Sequence, residues 1–245
     1  MNLIKRYIGV IRLVLITFDI SFRTVIQYWR GPTKMTRKWS DKTMLSWARR
    51  LLNAAEIDLH VHKPKKPINI DPDRSYVIMC NHTSHFDIPI SLGALAGWSV
   101  RMMAKKELYN IPVFGKAMVN ADFPIVDRNN RRQSFKDLAK ARELMKTGIM
   151  VWVAPEGTRS KTGKLGEFKR GAFMMAIDAK AIIIPLGICG ANEVLPTQTL
   201  DLHFGKKVDV YIGDPIDTSE YTSKEKDALL LRVKKSIAEL SFQQL

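Results

Sequence analysis

At 245 residues, with 46% hydrophobic and 26% charged residues, the chain has the composition of a globular protein with one buried core. That excludes long disorder, a multi-pass membrane protein and two large independent domains. Its formal net charge of +15 calls for an anionic partner, and because residues 1–66 hold fourteen Lys and Arg against four Asp and Glu, +10 of that +15 sits in roughly the first quarter.

From Ile4 to Trp29 nearly every residue is apolar, and the charges that interrupt the run fall on one stripe. At about 100° per residue, Lys5, Arg12, Asp19, Arg23 and Arg30 lie within about 40° of one another on a helical wheel. A helix of this length is long enough to span a bilayer, but spanning would put Arg12 or Asp19 in hydrocarbon at roughly 2.5–3.5 kcal/mol each. Lying in the interface avoids that cost. A cleaved signal peptide fits less well, because Arg12 breaks the apolar region and no small-residue cleavage site follows.

Past the turn-forming Gly31-Pro32, a second amphipathic helix is predicted from about Ser40, its expected cap, to Ala55, with Met44, Trp47, Ala48, Leu51 and Ala55 on one face. Trp29, Trp39 and Trp47 sit beside Arg30, Lys34, Arg37, Lys38, Lys42, Arg49 and Arg50, as aromatic anchors and cations do at headgroup level. The two helices read as a membrane-docking hairpin; a hairpin packed only on its own core is the alternative.

The remainder alternates between strand-like and helix-like segments, predicting an α/β fold with a mixed central sheet flanked by helices. Strands are expected over 57–61, 76–80, 100–104, 149–154, 182–187, 201–204 and 208–212, and helices over 87–95, 111–119, 131–147, 171–179 and 223–242. In 57–61 the polar residues alternate with apolar ones, so His60 and His62 read as the wet face of a strand rather than a zinc site. Cys80 and Cys189 cannot build a disulfide framework and point to a reducing compartment. Cys80, two residues from His82, also admits a Cys–His nucleophile pair, against which stands the simpler account of a packed structural cysteine.

Four segments carry chemistry. Asn81-His82-Thr83-Ser84-His85-Phe86-Asp87 follows an apolar strand, at the strand end where α/β proteins place their sites. An imidazole with a pKa near 6.5 can take a proton from an alcohol at neutral pH when a carboxylate on its other nitrogen fixes its tautomer. His82 and Asp87 supply those parts, provided a turn at His82 leads into a helix starting near Ser84 or Phe86, because five residues along one helix would splay them by about 140°. A helix cap at Thr83 or Ser84, with histidines bonded locally, is the plainer alternative.

Pro155-Glu156-Gly157-Thr158-Arg159-Ser160 follows the next apolar strand. Gly157 allows close backbone approach, Arg159 can grip phosphate through its guanidinium fork, Thr158 or Ser160 adds hydroxyls, and Glu156 can orient the arginine or a substrate hydroxyl. A nucleotide-binding loop ending at Gly163-Lys164 fails on spacing and on Leu165. In Ile125-Val126-Asp127-Arg128, Arg128 is a second candidate clamp, with an exposed ion pair as the alternative. Ile184-Pro185-Leu186 reads as a buried strand whose proline implies a sheet edge or a wall under the site.

In this order and spacing the four segments resemble the glycerolipid acyltransferase family, most closely the 1-acyl-glycerol-3-phosphate acyltransferases. Asn81-His82-Thr83-Ser84 with Asp87 is similar to the family's His-x4-Asp motif, Asp127-Arg128 to its second block, Glu156-Gly157-Thr158-Arg159 to its third and Ile184-Pro185-Leu186 to its fourth. The motif span covers somewhat under half the chain, and the basic hairpin is similar to the membrane-docking segment of bacterial members. Ile125 and Ala154 depart from the family, which often has an aromatic at the first position and Phe at the second, and so leave acyl preference and headgroup fit open.

The resemblance implies that His82 is the general base on the acceptor hydroxyl and that Asp87 positions it. It implies that Arg128 and Arg159 hold the lysolipid phosphate, that Glu156, Gly157 and Thr158 shape the acceptor site, and that Lys105 is a further candidate for the phosphate or the oxyanion. The implied reaction moves an acyl group from acyl-CoA or acyl carrier protein to lysophosphatidic acid, with no metal and no cofactor. It implies a membrane-interfacial segment over 1–56, meeting an anionic membrane surface through residues 1–55, and an acyltransferase domain over 57–245, at the cytoplasmic face of the membrane (the inner membrane in a bacterium). The alternatives are another lysolipid acceptor, or a nucleic-acid-binding protein on the strength of the charge, which the wide apolar face of residues 4–29 disfavours.

Overall fold

The computed structural model describes residues 3–64 and 66–244; Met1, Asn2, Lys65 and Leu245, which fall within the two expected segments, lie outside it. A long helix α1 (Leu3–Trp29) and a second helix α2 (Arg37–Ala54) precede the sheet. Helix α2 starts three residues earlier than the periodicity of its apolar face implies. Thr36, not Ser40, is its N-cap and accepts from the Trp39 amide at 3.2 Å, while Ser40 is buried inside the helix.

The main sheet contains β1 (Asp58–His62), β2 (Tyr76–Cys80), β3 (Val100–Met102), β6 (Met150–Val153), β7 (Ile182–Cys189), β8 (Lys207–Ile212) and β9 (Ile216–Asp217). Its order is β1-β8-β7-β2-β6-β3, with β9 alongside β7. Strand β2 runs parallel to both neighbours, whereas β8 and β9 run antiparallel to β7, so the sheet is mixed. A separate parallel pair joins β4 (Ala104–Lys105) to β5 (Ile125–Val126).

Alternation sends β2 into two cores. Tyr76, Ile78 and Cys80 pack with α2 and α3 (Asp87–Ala94). Val77 and Met79 pack with α5 (Arg131–Met145), α6 (Arg170–Asp178) and α8 (Lys226–Ser241). A strand covered on both faces is apolar throughout, as the Tyr76–Cys80 run is. The remaining helices are α4 (Phe114–Asn120), against which α1 packs, and α7 (Ala191–Val194).

Two further expectations need correction. Pro185 is not at an edge: β7 has β2 on one side and β8 and β9 on the other. The Pro185 carbonyl accepts from the Gly213 amide at 2.9 Å, so its ring nitrogen also faces the side where β8 has ended at Ile212 and β9 begins only at Ile216. The missing donor falls in a gap between strands, which is how an interior strand tolerates proline. The segment 201–204 is not a strand either; it is irregular chain whose Leu202 is fully buried, against α1 at Gly9.

The hairpin is fixed to the sheet by polar contacts as well as packing. Arg101 of β3 is fully buried and donates to Asp41 of α2 at 2.6 Å and to the Ala121 carbonyl at 2.5 Å. Asp19 of α1 accepts from Arg50 of α2 at 2.6 Å and from Arg23 at 2.8 Å. Those two hydrogen bonds hold the Asp19 carboxyl below its ordinary pKa. Among the described residues no helix is long and apolar enough to cross a membrane.

Candidate active site

Strand β2 stops at Cys80 because Asn81 turns its side chain onto β7: the amide donates to the Ile188 carbonyl at 2.9 Å and accepts from the Ile188 amide at 2.8 Å. The chain then turns through residues 82–86 and enters α3 at Asp87, which is the turn that a contact between His82 and Asp87 requires. His82 Nδ1 lies 2.7 Å from Asp87 Oδ2. The same oxygen accepts from the amides of Thr83 at 2.7 Å and Ser84 at 2.8 Å, and Asp87 is fully buried. An ionised carboxylate is an acceptor, so pairing assigns the imidazole proton to Nδ1 and leaves Nε2 with a free lone pair. The ring of His82 meets the Trp152 indole edge-on at 5.9 Å between centroids, and that indole is pinned by its hydrogen bond to Ser91 Oγ at 3.1 Å.

Glu156, nearly buried, spends both oxygens on backbone: Oε1 accepts from the His82 amide at 2.9 Å and Oε2 from the Gly166 amide at 2.8 Å. Burial pushes its carboxyl above the ordinary range. Rather than reaching an arginine, it braces the His82 turn against the loop after β6. Gly157 has a φ of 74°, a left-handed conformation that favours glycine, and its carbonyl accepts from Arg128 Nη1. Ser160 N donates to the His82 carbonyl at 2.7 Å.

The β4–β5 pair sets Lys105 opposite Val126, one residue before Asp127. Asp127 is an anchor: it accepts from Lys106 at 3.2 Å, and its amide donates to Asp137 of α5 at 3.0 Å.

His82, Lys105, Arg128, Glu156, Gly157, Thr158 and Arg159 all line one cavity of about 720 Å³. Asp87 stands behind His82, outside the lining. His85, which lies within the motif, also lines the cavity; its pKa is lowered by partial burial and then by the charge of Arg159. Beyond this polar cluster the wall is apolar: Ile20 of α1, Met44 and Trp47 of α2, Met118 of α4, with Met102 and Phe123. Thr17, Ser21 and Thr24 of α1 line it too, but their hydroxyls donate to their own helix at 3.0, 2.7 and 2.8 Å, which mutes their polarity. Of the two departures from the motif pattern, Ala154 is in the wall and Ile125 is not. A carboxylate-paired imidazole, several cations and an apolar wall share one space.

Residues 59–189, just over half of the chain, match the family described as Acyltransferase. The chain belongs to the acyltransferase family. Over 148 residues it is 34% identical to the chloroplast 1-acyl-sn-glycerol-3-phosphate acyltransferase LPAT1 of Arabidopsis thaliana, a match covering 60% of this chain and 41% of that protein. Over 158 residues it is 32% identical to the 1-acyl-sn-glycerol-3-phosphate acyltransferase of Escherichia coli, covering 64% of this chain and 63% of that protein. The chain thus spans less than two thirds of the length of either relative. The crystal structure of the 1-acyl-sn-glycerophosphate acyltransferase PlsC from Thermotoga maritima superposes with a TM-score of 0.78 at 28% identity and covers 98% of both chains. For an acyltransferase, His82 falls in the matched segment, and so do all the other residues of the polar cluster.

Proposed function

We propose that this acyltransferase moves a fatty acyl group from a thioester, acyl-CoA or acyl carrier protein, to the sn-2 hydroxyl of 1-acylglycerol-3-phosphate, giving phosphatidic acid. The observation that carries this reading is the 2.7 Å pair between His82 Nδ1 and Asp87 Oδ2 beside a cavity that also holds Arg128 and Arg159. The names of the relatives supply the acceptor.

In this reading His82 Nε2 takes the proton of the acceptor hydroxyl as its oxygen attacks the thioester carbonyl. The tetrahedral intermediate collapses with cleavage of the C–S bond, and the imidazolium returns its proton to the departing thiolate. Buried Asp87 holds the ring in one tautomer and stabilises the imidazolium. Arg128 and Arg159 grip the phosphate, Gly157 and Thr158 flank it, Glu156 sets the His82 backbone, and Lys105 meets the phosphate or the oxyanion.

Residues 1–56 act as an interfacial segment at the cytoplasmic face of the membrane and 57–245 as the acyltransferase domain. Support for docking comes from α1, which exposes Ile4, Ile8, Ile11, Leu15, Phe18 and Phe22 along one side, and from cations each contributing roughly 1 kcal/mol near anionic lipid. With purified protein, lysophosphatidate and a long-chain acyl thioester, His82→Ala and Asp87→Ala are each expected to lose at least about a hundredfold in kcat. Retention of most of the wild-type rate in either variant would refute the base assignment.

A further inference from the structure

Thr197 lies in irregular chain between α7 and β8, outside every motif, yet it touches both catalytic loops. Its Oγ1 lies 2.7 Å from the Thr83 carbonyl and 2.9 Å from the Ser160 carbonyl. A threonine hydroxyl has one proton, so the two carbonyls share it. Thr83 adjoins His82, and Ser160 adjoins Arg159.

Because a peptide unit is planar, fixing its carbonyl fixes the direction of its N–H. The unit between Thr83 and Ser84 is held at its oxygen by Thr197 and delivers its N–H to Asp87 Oδ2 at 2.8 Å. The preceding unit is held at the His82 oxygen by Ser160 N at 2.7 Å and delivers its N–H to the same Asp87 oxygen at 2.7 Å. Both backbone donors to Asp87 are therefore set from outside their own loop, one by Thr197 and one by the Ser160 amide, and Thr197 also holds the next peptide unit at the Ser160 carbonyl.

The segment bearing Thr197 is itself anchored. The Leu195 carbonyl accepts from Ser84 Oγ at 2.8 Å, the His203 amide donates to Val194 at 2.8 Å, and Asp201 pairs with Arg6 of α1.

We propose that Thr197 is a positioning residue for the acyl transfer, its hydroxyl stapling the His82 loop to the Arg159 loop. This rests on the function proposed above. The two shapes of threonine's nearest replacements separate the hydroxyl from packing: Thr197→Val keeps the volume and loses the proton, while Thr197→Ser keeps the proton and loses the methyl.

In steady-state transfer to lysophosphatidate from a long-chain acyl thioester, T197V should lose roughly threefold to tenfold in kcat, and T197S should stay within about twofold of wild type. Full activity in T197V, equal losses in both variants, or the reverse order would overturn the staple. His82→Ala measured in the same assay separates the two ways of failing. An inactive H82A beside a fully active T197V removes the staple alone, whereas an active H82A removes the reading it rests on and the staple with it.

Discussion

Asp87 concentrates three hydrogen bonds on one oxygen inside a fully buried side chain, and a buried carboxylate so partnered is oriented rather than free to turn. The arginines stand in contrast. Arg128 is exposed and tied to the Gly157 carbonyl through one nitrogen, which leaves most of its donors for an anion; Arg159 is half-buried in the same lining. If they grip phosphate, Arg128→Ala and Arg159→Ala should each raise KM for the phosphorylated acceptor by roughly tenfold or more, the scale of a charge-assisted hydrogen bond of about 1.5–3 kcal/mol. A panel pairing lysophosphatidate with an uncharged monoacylglycerol reads this directly. Unchanged selectivity in both variants would reject the clamp and favour an acceptor without phosphate.

Helix α1 is apolar on two sides for two different reasons. Ile16 is buried, with Val10 and Leu13 packed against the same core. On the other side Ile8, Ile11, Val14, Leu15 and Phe18 are each more than half exposed. The stripe of Lys5, Arg12, Asp19, Arg23 and Arg30 runs along one flank between them, at about 100° per residue, and Asp19 is used there to clasp α2. An exposed apolar strip of this length is unusual on a soluble surface and fits an interface. Ile11→Ser with Phe18→Ser should therefore weaken flotation with anionic vesicles by roughly 2–4 kcal/mol of lost apolar burial while leaving the melting temperature within about 2 °C. Undiminished flotation would mean that this face does not meet lipid.

Across the whole molecule, partners hold several carboxyls below their ordinary values. Asp127 is lowered chiefly by Lys106, Asp201 by His203, Asp209 by His62 and Glu225 by Thr222. A depressed folded pKa contributes stability that is complete above the unfolded value and is lost as pH falls through the folded one. Glu156, raised by burial, acts in the opposite sense but is a single group. Melting temperature should thus decline modestly as pH falls through the ordinary histidine range, because burial lowers the His85 pKa, and fall more steeply below about pH 4, where a formal net charge already at +15 becomes more positive still. A melting temperature that rises on acidification below that point would contradict this balance.

Local signals were enough for much of this protein. The apolar run Tyr76–Cys80, the wheel of α1 and the order of the four motif segments are short-range patterns, and strand period, helix period and loop chemistry are properties of neighbouring residues. They mark the β2 strand, the hairpin helices and the pair His82 and Asp87. What they left dark depends on partners far along the chain. Pro185 reads as an edge until the gap between β8 and β9 is seen, and residues 201–204 read as a strand until α1 covers them. Glu156 reads as a group for an arginine or a substrate hydroxyl, and only the folded chain shows its oxygens accepting from the His82 and Gly166 amides. Thr197 carries no local pattern, because a hydroxyl bridging two carbonyls more than thirty residues away is a property of the folded chain alone.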